Sequence, residues 1–201
     1  MKIDLHVHTN NRSDCASSSE HEQIQAAIDN GLDAIVFTDH GSQRTPEELE
    51  KLNRRYAPFK IFAGVEINVS DSHEDILIIG VWAMSDYNHK PWTYPELHKF
   101  ARRHNGFIAV PHPYRYTKYI RTDVEMYPPD AFELRSKNID PKLEPKILGI
   151  TTKLGLRNIV TSDAHRTLNV GQNYVELDYP VNSEEELVEA LQTGSYRLSQ
   201  P

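Results

Sequence analysis

The chain has 201 residues, 38% of them hydrophobic and 25% charged, with a formal net charge of −7 at pH 7. That length fits one domain with a full core, taken here as residues 1–201. The longest apolar run, residues 76–84, is under half of the ~20 residues a membrane helix needs. The acidic balance argues against non-specific binding to nucleic acid, and the single cysteine, Cys15, excludes an internal disulfide. Together with the lack of a basic-then-apolar leader, that cysteine usage fits a cytoplasmic location.

The first stretch, MKIDLHVH, reads as a buried strand over residues 2–7, with Ile3, Leu5 and Val7 alternating and Asp4 the exception. Residues two apart in a strand share a side, so His6 and His8 face together at its carboxyl end. A polar loop follows, and Ser19-x-x-Glu22 is a capping box that opens a helix carrying Ile24, Ala27 and Ile28 and closing at Gly31. Residues 32–37 form a second buried strand. Thr45-Pro46-Glu47-Glu48 opens the next helix, with proline at its first position. The third strand spans residues 60–69.

Only residues 70–74 separate it from the apolar run 75–80, too few for a crossover helix, so a hairpin interrupts the parallel order. Thr93-x-x-Glu96 opens a helix to Asn105-Gly106, and residues 107–110 form the fifth strand, ending at Pro111-His112-Pro113. A long Tyr-rich connection carries Arg115, Lys118 and Arg121. Residues 130–134 are a short strand. A helix from Asp140-Pro141 to Gly155 turns Leu143, Ile147, Leu148 and Leu154 inward, and residues 158–161 are the next strand. Residues 174–177 form a final short strand before a helix from Ser183-x-x-Glu186 to Gly194. This α/β alternation implies a barrel or a doubly wound sheet. The barrel is preferred, because barrel active sites lie at the carboxyl ends of strands and the histidines and acids accumulate there.

Those residues are His6, His8, Asp14, His40, Glu66, His112, Asp163 and His165. Imidazole and carboxylate without thiolate suit zinc, manganese or iron. Eight candidates exceed one coordination sphere, so two or three ions are expected, with Glu66 able to bridge a pair. Asp39 is either a support for a neighbouring ligand or a partner of the backbone. Arg115, three residues past His112, and Arg135, at the end of a short strand, are the candidate substrate contacts. Cys15 has no base beside it in the motif, and His21, His89, His98 and His104 read as solvated.

The pieces DLHVHTNNRSD, VFTDHG, GVEI, VPHP and TSDAH, in that order across residues 4–165, resemble the PHP (polymerase and histidinol phosphatase) domain family of metal-dependent phosphoesterases. The resemblance implies a distorted (β/α)7 barrel of PHP type with a two- or three-metal centre. It implies one ion held by His6, His8, Glu66 and Asp163, a second by Glu66 and His112, and a third by Asp14, His40 and His165. A further ligand precedes the ILIIG strand, where Asp75 matches best and His73 is the rival. The expected reaction is hydrolysis of a small phosphate monoester by a metal-bridging hydroxide, with Glu66 and Asp163 as the catalytic carboxylates. The alternatives are a nuclease of the same metal chemistry and a non-enzymatic, metal-stabilised scaffold.

Overall fold

Hydrogen-bonding side chains at the helix starts set the rhythm of the fold. The backbone amides of Ser19, Thr45 and Thr93 donate to the carboxylates of Glu22, Glu48 and Glu96 at 2.7, 2.8 and 3.2 Å. Each such cap satisfies amides that the first helical turn leaves free, worth about 1 kcal/mol. The computed structural model describes residues 1–200. In chain order the elements are β1 (Lys2–Val7), α1 (Glu20–Asp29), β2 (Ala34–Phe37), α2 (Pro46–Tyr56), β3 (Lys60–Asn68), β4 (Asp75–Ile79), α3 (Tyr94–Arg103), β5 (Phe107–Val110), β6 (Ala131–Arg135), α4 (Glu144–Leu154), β7 (Arg157–Val160), β8 (Val175–Leu177), α5 (Glu184–Thr193) and β9 (Tyr196–Leu198). No helix among the described residues is long and apolar enough to cross a membrane.

The strands form one sheet in the order β7-β6-β5-β4-β3-β2-β1-β8-β9. Beyond β7 the chain returns to β1, where the His8 amide donates to the Ala164 carbonyl (2.9 Å) and the Ala164 amide to the His6 carbonyl (3.2 Å). These bonds nearly close β1–β7 into a distorted barrel of the expected kind. The expected hairpin is also present: β4 is antiparallel to both β3 and β5, while the other neighbours among β1–β7 are parallel. Because β4 runs backwards, its first residue, Asp75, lies at the end where its neighbours finish, opposite Asn68 of β3. β9 was not anticipated; it pairs antiparallel with β8, which flanks β1.

The interior is layered by the two-residue period of strands. Phe62, Leu77, Ile79, Phe107, Ala109, Ala131 and Ile159 fill one end. Two or four residues farther toward the other end, the same faces carry Glu66, Asp75, Glu133 and Thr161, all buried. In β1 the alternation is broken by a register shift between Asp4 and Val7. Ile3 and Leu5 pack with the interior cluster, whereas Val7 packs with Ile24, Leu49 and Leu52 of the helices. The extra residue turns His6 inward after Leu5. Asp4 points out and accepts amide bonds from Ser162 and Gly171, both at 3.0 Å. One helical expectation is corrected. Leu148 is 38% exposed, because the buried stripe of α4 runs through Ile147 and Thr151 and Leu148 sits about 100° away from it.

Gly64 faces the interior between Phe62 and Glu66, and a Cβ there would lie 2.6 Å from Val36 Cγ1 and 3.0 Å from Thr38 Cγ2. Gly64→Ala is therefore expected to destabilise the protein by about 1–3 kcal/mol through overpacking. Denaturant unfolding of the variant measures this, and an unchanged midpoint would mean that the interior has room at this level.

Candidate metal centre

Glu133 orients the first histidine. It is fully buried in β6, and its Oε1 lies 3.1 Å from His6 Nδ1 while also accepting from the Thr161 hydroxyl. A carboxylate at that position assigns the imidazole proton to Nδ1 and leaves Nε2 with a lone pair. His8 is arranged likewise. Its Nδ1 lies 3.5 Å from Ser13 Oγ, whose own proton goes to Asp39 at 2.7 Å. The two Nε2 atoms are 2.9 Å apart. Glu66 Oε2 lies 3.3 and 3.2 Å from them, and Asp163 Oδ1 lies 3.4 Å from both.

Four acceptor atoms thus face one another inside the protein, and Asp163 Oδ1 has no hydrogen-bond donor at all. Ligand atoms of a tetrahedral ion with bonds of ~2.0–2.1 Å sit ~3.3–3.4 Å apart. The separations among His6 Nε2, His8 Nε2 and Asp163 Oδ1, 2.9–3.4 Å, are close to that, so these three donors fit a divalent cation such as zinc. Two further groups adjoin it. His112 Nε2 lies 2.9 Å from Glu66 Oε1 and 3.9 Å from Asp75 Oδ2, and the His112 amide donates to Glu133 Oε2 at 2.7 Å. His8, His40 and His165 form the third group, with ligand atoms within 4.8 Å of one another. There the His165 Nδ1–H donates to the Asp163 carbonyl at 3.0 Å. His112 and Asp163 adopt left-handed backbone, φ 29° and 50°, which costs non-glycine residues energy and recurs at functional sites.

The electrostatics carry the same message. Burial alone would lower His6, His8 and His112, but the carboxylates around them win and hold all three above the usual histidine range. Burial alone would raise Glu66 and Asp163, yet the facing histidines hold both below the usual carboxylate range. His40 and His165, nearer the mouth, are pushed down by partial burial.

Of the expected residues, the structure gathers His6, His8, His40, Glu66, Asp75, His112, Asp163 and His165 around one cavity. It leaves Asp14 exposed and outside the three groups. Its neighbour Ser13 takes the inward place, pinned to Asp39, and His8 completes the third group instead. His73 is exposed with φ 55°, so Asp75 is the residue of that pair at the centre. Arg115 stands at the rim, 3.9 Å from Asp163 Oδ2. Arg135 does not reach the cavity. The strand register shifts between Glu133 and Arg135, and its guanidinium donates to the Ser199 carbonyl at 2.7 Å. Asp39 supports the site by accepting from Thr9, Ser13 and Arg44. Asn138 and Glu133 are among the residues that escaped the sequence reading. Asn138 donates to Asp163 Oδ2 from an unpatterned loop. Glu133 had a signal, a lone acid within the apolar strand AFELR.

A barrel with clustered histidines and carboxylates at the carboxyl ends of its strands defines a candidate metal-dependent hydrolase. The PHP domain model matches residues 4–199, and the chain belongs to that family. Among solved structures it is similar to a two-domain Bacteroides vulgatus protein containing a predicted PHP-like metal-dependent phosphoesterase (TM-score 0.75, 15% identity, 99% of this chain and 64% of that one). It is also similar to an amidohydrolase from Chromobacterium violaceum with bound sulfate and no metal (TM-score 0.69, 16% identity, 95% of this chain and 97% of that one). A third is the lesion-specific endonuclease EndoQ from Pyrococcus furiosus (TM-score 0.67, 18% identity, 98% of this chain and 57% of that one). The chain thus spans less than two thirds of the Bacteroides and Pyrococcus proteins. No curated protein matches the sequence significantly.

All four groups bonded to the Glu133 carboxylate are donors, from His6, Thr161, His112 and Ser136. Glu133→Gln would set an amide NH2 against two of them, and is expected to weaken metal binding about 10–100-fold, as loss of a ligand's outer partner does. Titration of metal-stripped protein with zinc or manganese measures it. Metal should also raise the melting temperature of the stripped protein, by about 2.7 kcal/mol of added stability per site at a hundredfold excess over Kd.

Proposed function

We propose that the chain hydrolyses small phosphate monoesters at a centre of two or three divalent ions. The observation that carries this reading is the buried cluster of ligating atoms around Asp163 Oδ1, which itself receives no hydrogen bond, with a guanidinium waiting at its rim. Four buried carboxylates, Glu66, Asp75, Glu133 and Asp163, surround the cavity. Their −4 against +6 from three divalent ions leaves about +2, which suits the dianion of a monoester.

Bound ions would supply Lewis acidity, lowering the pKa of water and neutralising phosphate charge. The protein's own groups do the rest. His6, His8 and Asp163 would hold one ion, Glu66 and His112 a second, and His8, His40 and His165 a third. Asn138 fixes Asp163 Oδ2, so that Oδ1 is turned to the histidines. Arg115, 34% exposed, is free to turn from Asp163 to an arriving phosphate and give it two parallel N–H bonds. The burial of His6, His8, Glu66, His112 and Asp163 keeps water from competing at the inner part of the site.

A nuclease is the second reading, favoured by the likeness to EndoQ and by the exposed cations Arg115, Lys118 and Arg121 on one loop. The net charge of −7 weighs against a long nucleic-acid footprint. A panel of monoesters followed by inorganic phosphate release, with diesters and short DNA followed by the released alcohol or fragments, separates the two. The monoesters are expected to react, and cleavage of DNA alone would replace the phosphatase reading.

Arg115→Ala is expected to lower kcat/KM about ten- to a hundredfold, the worth of a charge-assisted bidentate contact, while metal content and Tm stay unchanged. Arg115→Lys should recover only part, since a point charge lacks the planar fork. Steady-state kinetics on the best monoester checks both.

A further inference from the structure

The loop that leaves β5 is held at both ends. At its start His112 and Tyr114 both take left-handed backbone, φ 29° and 68°, which bends the chain back over the barrel mouth. At its far end the buried carboxylate of Glu74 accepts from the Arg121 amide (3.1 Å) and from the amide and hydroxyl of Thr122 (2.8 and 2.5 Å). Between these anchors two consecutive side chains reach the centre. Arg115 leans to Asp163, and the Tyr116 hydroxyl donates to Asp75 Oδ2 at 2.8 Å.

Asp75 therefore has a donor on each oxygen, because Asn68 Nδ2 donates to Oδ1, also at 2.8 Å. The carboxylate is buried, and its Oδ2 lies 3.9 Å from His112 Nε2. A carboxylate held on one oxygen only can still swing about its last bond, whereas one held on both keeps its plane. The Tyr116 ring also stands edge-on to the His112 ring, with centroids 6.3 Å apart. Tyr116 is 51% exposed as a residue and contributes little to the core.

We propose that Tyr116 is a positioning residue for the second ion: with Asn68 it fixes Asp75 so that Oδ2 faces His112, and by the same bond it fastens the loop 113–121 over that ion's site. This rests on the metal-centre reading above. It makes the occupancy of the second site and the order of the loop depend on each other, because both act on one hydrogen bond.

Tyr116→Phe removes the hydroxyl and nothing else. Metal-stripped protein titrated with Mn²⁺ by calorimetry should bind the first equivalent as the wild type does and the second about tenfold more weakly. The melting temperature without metal should not change. Tryptic cleavage at Lys118 should slow on adding Mn²⁺ to the wild type but not to the variant. Asn68→Ala, which is off the loop, should weaken the second equivalent yet keep the metal-dependent protection. A second equivalent bound as tightly by Tyr116→Phe as by the wild type overturns the role of Tyr116. So does tighter binding, which would mean that the phenol competes with the ion. A wild type that takes up only one ion overturns this inference and the metal-centre reading together.

Discussion

The constraint that governs this protein is a cavity in which acceptors face acceptors. With its proton held at Nδ1 by Glu133, His6 presents a lone pair to His8, Glu66 and Asp163. Such a set is unstable in a low-dielectric interior unless positive charge sits among its members. Protons are one answer, and the raised pKa values of His6, His8 and His112 show how strongly the carboxylates attract them. A divalent ion answers better, since it satisfies several lone pairs at once at the spacing the atoms already have.

The barrel makes that cavity possible by two departures from regularity. The register shift in β1 allows Leu5 to stay in the apolar layer while His6 and His8 enter the polar one. The reversal of β4 brings Asp75 to the same mouth as the carboxyl ends of β3 and β5. Elsewhere the two-residue period does the work, setting Glu66 above Phe62 and Glu133 above Ala131. The supports lie one layer out. Asp39, clamped by the buried Arg44 at 2.7 Å, holds Ser13 and through it His8.

The histidines and acids at strand ends were legible because strand ends are marked by the switch from apolar run to polar loop. The hairpin was legible from a connection too short for a helix, and the barrel from the histidines and acids gathered at strand ends together with the PHP-like motifs. What could not be read was what depends on phase and on loop path. Ile3, Leu5 and Val7 look like plain alternation, and no residue type announces the bulge between them. Asp14 matched a motif position, but the fold of a polar loop decided that Ser13 would turn inward. Arg135 looked free at a strand end, yet a partner 64 residues away in sequence holds it. Asn138 and the Tyr116–Asp75 bond depend on loops that carry no periodic pattern. Leu148 was misplaced because a helical stripe one residue wide of its neighbour points about 100° elsewhere.

The central claim is that this buried set of acceptors is completed by metal ions. Anomalous diffraction from crystals of the protein reconstituted with Mn²⁺ tests it most directly. The account predicts one peak bounded by His6, His8 and Asp163 and a second between Glu66 and His112. Crystals with no peak inside the barrel mouth, or with peaks only on the outer surface, would contradict it.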